Sequence, residues 1–211
     1  MSTFEVRLNQ DQVQDAISLF EFFGGNTPDA LRIAINRTGP KVKQAASVEI
    51  RKQVRLRAAY VKDDRQLRFI RATRQKVTGR LRANSRGILL TRYSTDPLIA
   101  SQDRASWFRP PPTPARGIRV KVKPTGSTKV MEGGWFYMVL PNSRALAIVR
   151  RRPKGSLGPQ GGKIDVAYGP SVSQVFGNET RDRLLPKAED DLSTELLRAM
   201  GFLLRKQSPR E

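Results

Sequence analysis

The chain contains neither cysteine nor histidine. Without cysteine it has no disulfide bonds and no thiolate metal sites, so a reducing compartment is permitted but not required. Without histidine it lacks the commonest general base, the Ser-His-Asp arrangement and the ligand of most catalytic zinc sites. We therefore predict that the protein is not an enzyme and that it uses no cofactor and no metal.

Long apolar runs and aromatic residues are also scarce. No run of 18 apolar residues occurs, and the acidic, amphipathic N-terminus does not resemble a secretory leader, so we expect no membrane partner. Aromatic residues form only 7% of the chain, which leaves few side chains to stack on bases. No zinc-finger, helix-turn-helix or RNA-recognition signature is present, and the glycine-rich stretch Gly155 to Gly162 lacks the ending of a phosphate-binding loop. We therefore predict that any contact with nucleic acid is made to its sugar–phosphate backbone and does not depend on base sequence.

Two groups of carboxylates are the remaining candidates for metal binding or acid–base chemistry. They are Asp63-Asp64 and Glu189-Asp190-Asp191. Adjacent residues on a helix point in different directions, so we expect these groups to be solvated or paired with nearby lysine and arginine.

Positive charge is abundant and unevenly placed. The net charge is +20, and residues 27–178 hold 31 basic and eight acidic residues, whereas residues 1–26 carry a net charge of −3. Such a block repels itself unless something anionic offsets it, and nucleic acid or an acidic protein partner would do so.

The helical pattern is clearest at the start of the basic block and in the C-terminal region that follows it. Apolar residues recur at three- and four-residue spacing from Thr27 to Val54, and Gly39-Pro40 predicts either a kink or two helices end to end. A C-terminal amphipathic helix is predicted from Leu185 to Leu203, with Pro186 in its first turn.

Strand patterns fill the middle of the chain. Alternation predicts basic strands at Thr78–Ala83 and Ile118–Lys123, a further strand at 88–90, an interior strand at 135–140 with a hairpin partner at 145–152, and a strand at 164–168. We predict an α+β fold in a single domain, residues 1–211: long N-terminal helices and a C-terminal helix packed on a small, mostly antiparallel sheet. Residues 94–117, rich in proline, and 151–163, basic and glycine-rich, are predicted to be extended loops.

The chain resembles the minor tail protein Z family of long-tailed phages, which belongs with the tail-completion proteins. Four stretches carry the likeness: residues 30–57 with 59–65, 71–87, 135–152 and 164–192. Within them, the AINR segment (Ala34 to Arg37) matches the family. The order of elements after residue 135 also matches the family: an apolar strand, a turn and a strand that ends in arginines come first. The I-D-V segment, a proline, a helix and the L-P-K segment follow.

The resemblance implies a non-enzymatic structural protein of the virion. It implies a place at the head-proximal end of the tail, with assembly in the host cytoplasm, and a role in tail completion or head–tail joining. The implied partners are further copies in a ring, most simply a hexamer, the tail terminator, tail tube and connector, and genomic DNA passing through the lumen. The alternatives are a sequence-independent nucleic-acid-binding protein and, third, a nuclease or other enzyme.

Candidate contact residues follow from the basic strands and the proline-rich segment. Cationic side chains on the two strands would face the DNA path or an anionic partner: Arg80, Arg82, Arg119, Lys121 and Lys123. Large aromatics and prolines in 94–117 are predicted to contact another protein: Trp107, Phe108, Pro110, Pro111 and Pro112. A flexible loop without a partner is the alternative interpretation of that segment.

Overall fold

Two long helices and ten short strands form the part of the chain that the computed structural model describes, residues 3–5, 27–95, 113–152 and 164–207. The helices are α1 (Thr27–Gln53), α2 (Ala58–Lys62), α3 (Val172–Val175) and α4 (Asn178–Gln207), with a 3-10 turn at Leu90–Tyr93. The strands are β1 (Thr3–Glu5), β2 (Leu67–Ile70), β3 (Arg80–Ala83), β4 (Ile88–Leu89), β5 (Ile118–Val120), β6 (Lys129–Met131), β7 (Trp135–Val139), β8 (Leu146–Arg151), β9 (Ile164–Val166) and β10 (Tyr168–Gly169). The predicted α+β class is confirmed.

The described strands pair in four small antiparallel sheets and not in one. Their orders are β1-β3-β2, β10-β4, β5-β6 and β7-β8-β9. Because β8 is the central strand of the last sheet, the prediction of an interior strand at 135–140 is wrong: the outer strand β7 carries that run. The two basic strands are also shorter than predicted, since β3 begins at Arg80 and β5 ends at Val120.

The described residues group into two compact units. The first takes residues 3–5, 27–50, 58–85 and 172–207, and the second takes 51–57, 86–95, 113–152 and 164–171. The chain therefore passes between the units four times. The sequence predicted a single domain, and this stays a prediction.

Small residues let the long helices of the first unit pack closely. Ala30 and Ala34 of α1 are fully buried in one apolar cluster with Leu192, Leu196 and Ala199 of α4. The small side chains of Ala30 and Ala34 leave room for the leucines of α4 on this face of α1.

Gly39 is a contact point and not a break. Helix α1 runs without interruption through Pro40, so the prediction of two helices end to end is wrong. A Cβ atom at Gly39 would lie 2.0 Å from the ring of Phe69, which shows how closely β2 approaches the helix. On the same side of the helix, the amide of Asn36 donates to Ala72 O (3.0 Å) and accepts from Ala72 N (2.8 Å), which holds the chain just after β2.

Helix α4 begins earlier than predicted, at Asn178 and not near Leu185. Pro186 therefore lies inside the helix, and Leu184 is the buried leucine of this turn. The added N-terminal turns are supported by a hydrogen bond from Thr180 Oγ1 to Val175 O (3.0 Å) and by an ion pair between Arg183 and Glu179.

In the second unit, the 3-10 turn joins two sheets. Tyr93 is fully buried and donates its hydroxyl hydrogen to Pro170 O (3.0 Å), while its own carbonyl accepts from Lys121 N (2.9 Å). Thr91 Oγ1 donates to Leu146 O at the start of β8 (3.0 Å). This turn therefore sets the position of β5 relative to β8.

Candidate functional site

Arginines cover the solvent side of β2 and β3 in the first unit. The strands alternate: Leu67 and Leu81 point inward and are buried, whereas Arg68 and Arg82 are exposed. Burial of Phe69 against α1 fixes which side is inward, so the intervening residues must face solvent. The outward residues of both strands are Arg68, Ile70, Arg80 and Arg82, and we call the three arginines the arginine face.

Strand register puts two of these cations directly opposite each other. Arg68 pairs with Arg82, and Ile70 pairs with Arg80. On the other side of β3, strand β1 places Thr3 opposite Arg82 and Glu5 opposite Arg80. The row through Arg80 therefore includes an acidic position, while the row through Arg68 and Arg82 includes none.

Sequence reasoning identified Arg80 and Arg82 but missed Arg68. Burial alternates along Leu67–Ile70, but polarity does not, because the outward residue Ile70 is apolar. The sequence therefore carried only a weak period-two signal for this short strand.

The second basic strand presents fewer cations than predicted. Arg119 is exposed between the buried Ile118 and Val120, so alternation holds within β5. Lys121 and Lys123 lie beyond the end of the strand, where Lys121 is half-buried and its backbone is bonded to the 3-10 turn. Of the three predicted cations, only Arg119 lies on the strand itself.

The five predicted cations are divided between the two units. Arg80 and Arg82 belong to the first unit, whereas Arg119, Lys121 and Lys123 belong to the second. The predicted protein-contact residues Trp107, Phe108, Pro110, Pro111 and Pro112 lie outside the described residues.

The two ends of the proline-rich segment are held at one place. Ser94 forms a bridge with Val120, and Thr95 N donates to Arg119 O (3.1 Å). At the other end of the segment, directly before β5, Gly117 has a φ of +80° and its N–H donates to Pro114 O (2.9 Å). The chain therefore leaves and re-enters the second unit beside β5.

Three cations of the first unit share one buried carboxylate. Glu195 of α4 is buried and accepts from Lys41 Nζ (2.7 Å) and Arg198 Nη1 (2.9 Å), with Arg37 Nη1 at 3.8 Å. The hydrogen bond from Lys41 holds the pKa of the Glu195 carboxyl below its ordinary value, and Arg198 acts in the same direction. This cluster links α1 to α4, and its three partly exposed cations outnumber its one carboxylate.

A row of paired side chains crosses β7, β8 and β9 in the second unit. Trp135, Arg150 and Asp165 are neighbours in register, and the guanidinium of Arg150 lies 5.1 Å from the centre of the Trp135 ring. Asp165 forms ion pairs with both Arg150 (3.6 Å) and Arg152. The arginines that end β8 are thus tied to the sheet by a ring and a carboxylate.

Of the carboxylates considered as catalytic groups, Asp64 is paired with a cation and Asp63 with the backbone. Asp64 Oδ1 accepts from Lys43 Nζ (2.5 Å), and this hydrogen bond lowers the pKa of the Asp64 carboxyl. Asp63 Oδ1 accepts from Arg65 N (2.9 Å). The prediction that this pair is bound to nearby basic residues is confirmed for Asp64.

The described residues contain neither a group of metal-ligating side chains nor a membrane-spanning helix. Nowhere in 3–5, 27–95, 113–152 or 164–207 do three or more acidic, cysteine or histidine side chains gather as metal ligands. Among those same residues, no helix has the length and apolarity needed to cross a bilayer.

Comparison with known proteins gives one match. The sequence model of the family described as prophage minor tail protein Z (GPZ) matches residues 13–210, which is nearly the whole chain. No curated protein and no solved structure matches.

Proposed function

We propose that this protein, which belongs to the prophage minor tail protein Z family, completes the phage tail at its head-proximal end, around the path of the DNA. Family membership makes the chain a structural protein of a phage tail and places it in the virion tail. The observation that carries the finer proposal is the length of the match, because it includes both units and both long helices.

The charge of the chain supports a place beside DNA. A net charge of +20 would repel neighbouring copies unless an anionic polymer or partner lay close by. The arginine face and Arg119 give each unit a solvent-exposed cationic strand, and such surfaces tolerate passing phosphates without reading base sequence. We propose a ring, most simply a hexamer, that contacts the tail terminator, tail tube and connector.

The test is a phage in which the gene is deleted and supplied again from a plasmid. We expect deletion to leave filled heads and tails that do not join, and wild-type protein to restore infectious particles. Electron microscopy of the lysate counts free heads, free tails and complete virions.

Complete, infectious virions from the deleted phage would contradict the proposal. If such virions formed while the purified protein still bound DNA, the alternative of a sequence-independent nucleic-acid-binding protein would take its place.

A further inference from the structure

We propose that the arginine face is a phosphate-binding surface for duplex DNA, with Arg68 and Arg82 at its centre. The inference deepens the proposed function and rests on it for the source of the DNA. It assigns a surface and a residue, Arg68, that the sequence prediction did not include.

The first argument is the position of like charges. Arg68 and Arg82 are directly opposite on neighbouring strands, and both are exposed. Like charges at directly opposite positions destabilise a sheet. The inward packing of Leu67 and Leu81 prevents the strands from turning these arginines away, so the folded protein keeps both on one side. Asp64 already interacts electrostatically with Arg68, and an anionic polymer on this side of the sheet would meet both arginines together.

The second argument is the chemistry of the face. Guanidinium groups form forked hydrogen bonds to phosphate oxygens and stay charged at any physiological pH. The fourth outward residue is Ile70, which is 41% exposed, so the face offers no aromatic ring for base stacking. These side chains fit a sugar–phosphate backbone and do not fit unpaired bases.

The third argument is charge density, which favours DNA over an acidic protein. Arg68 lies roughly 5 Å across from Arg82, and both are exposed, whereas Arg80 is half-buried and lies opposite Glu5. Duplex DNA carries one charge per about 1.7 Å of its axis, so one segment meets both Arg68 and Arg82 at once. The net charge of +20 adds long-range attraction to such a polymer.

The main experiment compares two double variants of the full chain that lose equal charge. One is Arg68→Gln with Arg82→Gln, and the control is Lys62→Gln with Lys187→Gln, two exposed lysines of the same unit. Affinity for a short duplex of arbitrary sequence is measured from about 50 to about 200 mM salt. We expect the slope of log K against log salt to become shallower by about 1.8 for the face variant, and by less than half of that for the control.

A single variant gives a second, independent readout. Arg68→Glu places a carboxylate directly opposite Arg82, so we expect weaker DNA binding than in Arg68→Gln. Lys62→Glu is compared with Lys62→Gln as the control, and this pair should differ less in DNA binding. A surface with only a structural role would not give a loss of binding that grows with the charge change at position 68 alone.

Equal loss of binding in the face and control variants would overturn the inference, because net charge alone would then explain it. Unchanged binding together with lost tail completion would also overturn it, in favour of an acidic protein surface as the partner. The proposed function is tested separately: it fails if phage lacking the protein still make complete virions. That result would not affect the salt slopes measured with the purified protein, so the two failures can be told apart.

Discussion

At the scale of single residues, Gly39 shows how one missing side chain decides a packing distance. The Phe69 ring occupies the space that any Cβ at this position would need. We expect Gly39→Ala to destabilise the protein by about 1–3 kcal/mol through overpacking, although alanine is favoured over glycine in a helix by about 1 kcal/mol. Urea denaturation measures the change.

Gly201 in α4 is the matched control for this substitution. A Cβ there would meet no atom within 4 Å, so Gly201→Ala should stabilise the protein by up to about 1 kcal/mol. In a Phe69→Leu background, the penalty of Gly39→Ala should shrink, because the ring that it clashes with is gone. An equal penalty in both backgrounds would show that the contact with Phe69 is not the cause.

Glu195 predicts a pH dependence that belongs to one side chain. Because its folded-state pKa is lowered from the ordinary value of 4.5, the carboxylate contributes stability above that pH and loses it as pH falls through the lowered value. We expect Glu195→Gln to lower stability at neutral pH by about 1–2 kcal/mol, since the three cations around it are partly solvated. Melting curves from neutral pH down to acid measure it.

The difference between wild type and Glu195→Gln should therefore close at acid pH. The comparison removes the contribution of other carboxylates such as Asp64, which titrate in both proteins. A difference that stays constant through the acid range would mean that the ion pairs with Lys41 and Arg198 do not stabilise the fold.

At the scale of elements, the proline-rich segment can be tested by removing it. The bridge between Ser94 and Val120 holds the chain where the segment leaves and returns. We expect replacement of residues 97–114 by a short Gly-Ser linker to change the free energy of unfolding by less than about 1 kcal/mol, because loop closure depends weakly on length. The same protein should fail to restore infectious particles to the deleted phage, since the segment is proposed to dock on another protein.

Trp107→Ala with Phe108→Ala is the companion variant, because it keeps the length of the segment and removes its two large aromatics. We expect it to reduce the yield of complete virions strongly if these rings anchor the contact. Normal yields from the deletion variant would refute the docking proposal.

Elements with long periodic patterns were predictable from the sequence, and short ones were not. The long pattern of α1 and the hairpin of β7 and β8 follow from spacing alone. Strands β2 and β6 have four and three residues, too few for a period to stand out. At Gly39-Pro40 the sequence left a kinked helix and two separate helices as alternatives, and it could not choose the continuous helix, because the contact of Phe69 with Gly39 is a tertiary feature that spacing does not reveal.

The sequence predicted that the candidate site is a cationic strand surface, but it did not predict all of the residues that form it. Alternation gave the outward direction of Arg80 and Arg82, yet their pairing with Arg68 depends on strand register, which is set by the packing of both strands on α1. Likewise, the partition of Arg80 and Arg119 into different units follows from tertiary contacts between distant parts of the chain.

At the scale of the whole molecule, charge gives assembly and DNA binding opposite responses to salt. Copies that carry +20 repel one another, so screening should favour the proposed ring, while the same screening weakens attachment to DNA. We expect the purified protein to shift from monomer toward a hexamer as ionic strength rises from about 0.01 M to about 1 M. Sedimentation velocity measures the distribution, and a strictly monomeric subunit in the finished virion would disprove the ring.

The interleaving of the two units has a consequence for synthesis on the ribosome. The second unit is complete once residue 171 has emerged, whereas the first unit needs α4, which is translated after everything else in either unit. Ala30 and Ala34 therefore stay uncovered until Leu192 and Leu196 have been translated. We therefore expect nascent chains of this protein to expose this apolar face of α1 until α4 is made, which favours contact with chaperones during that interval.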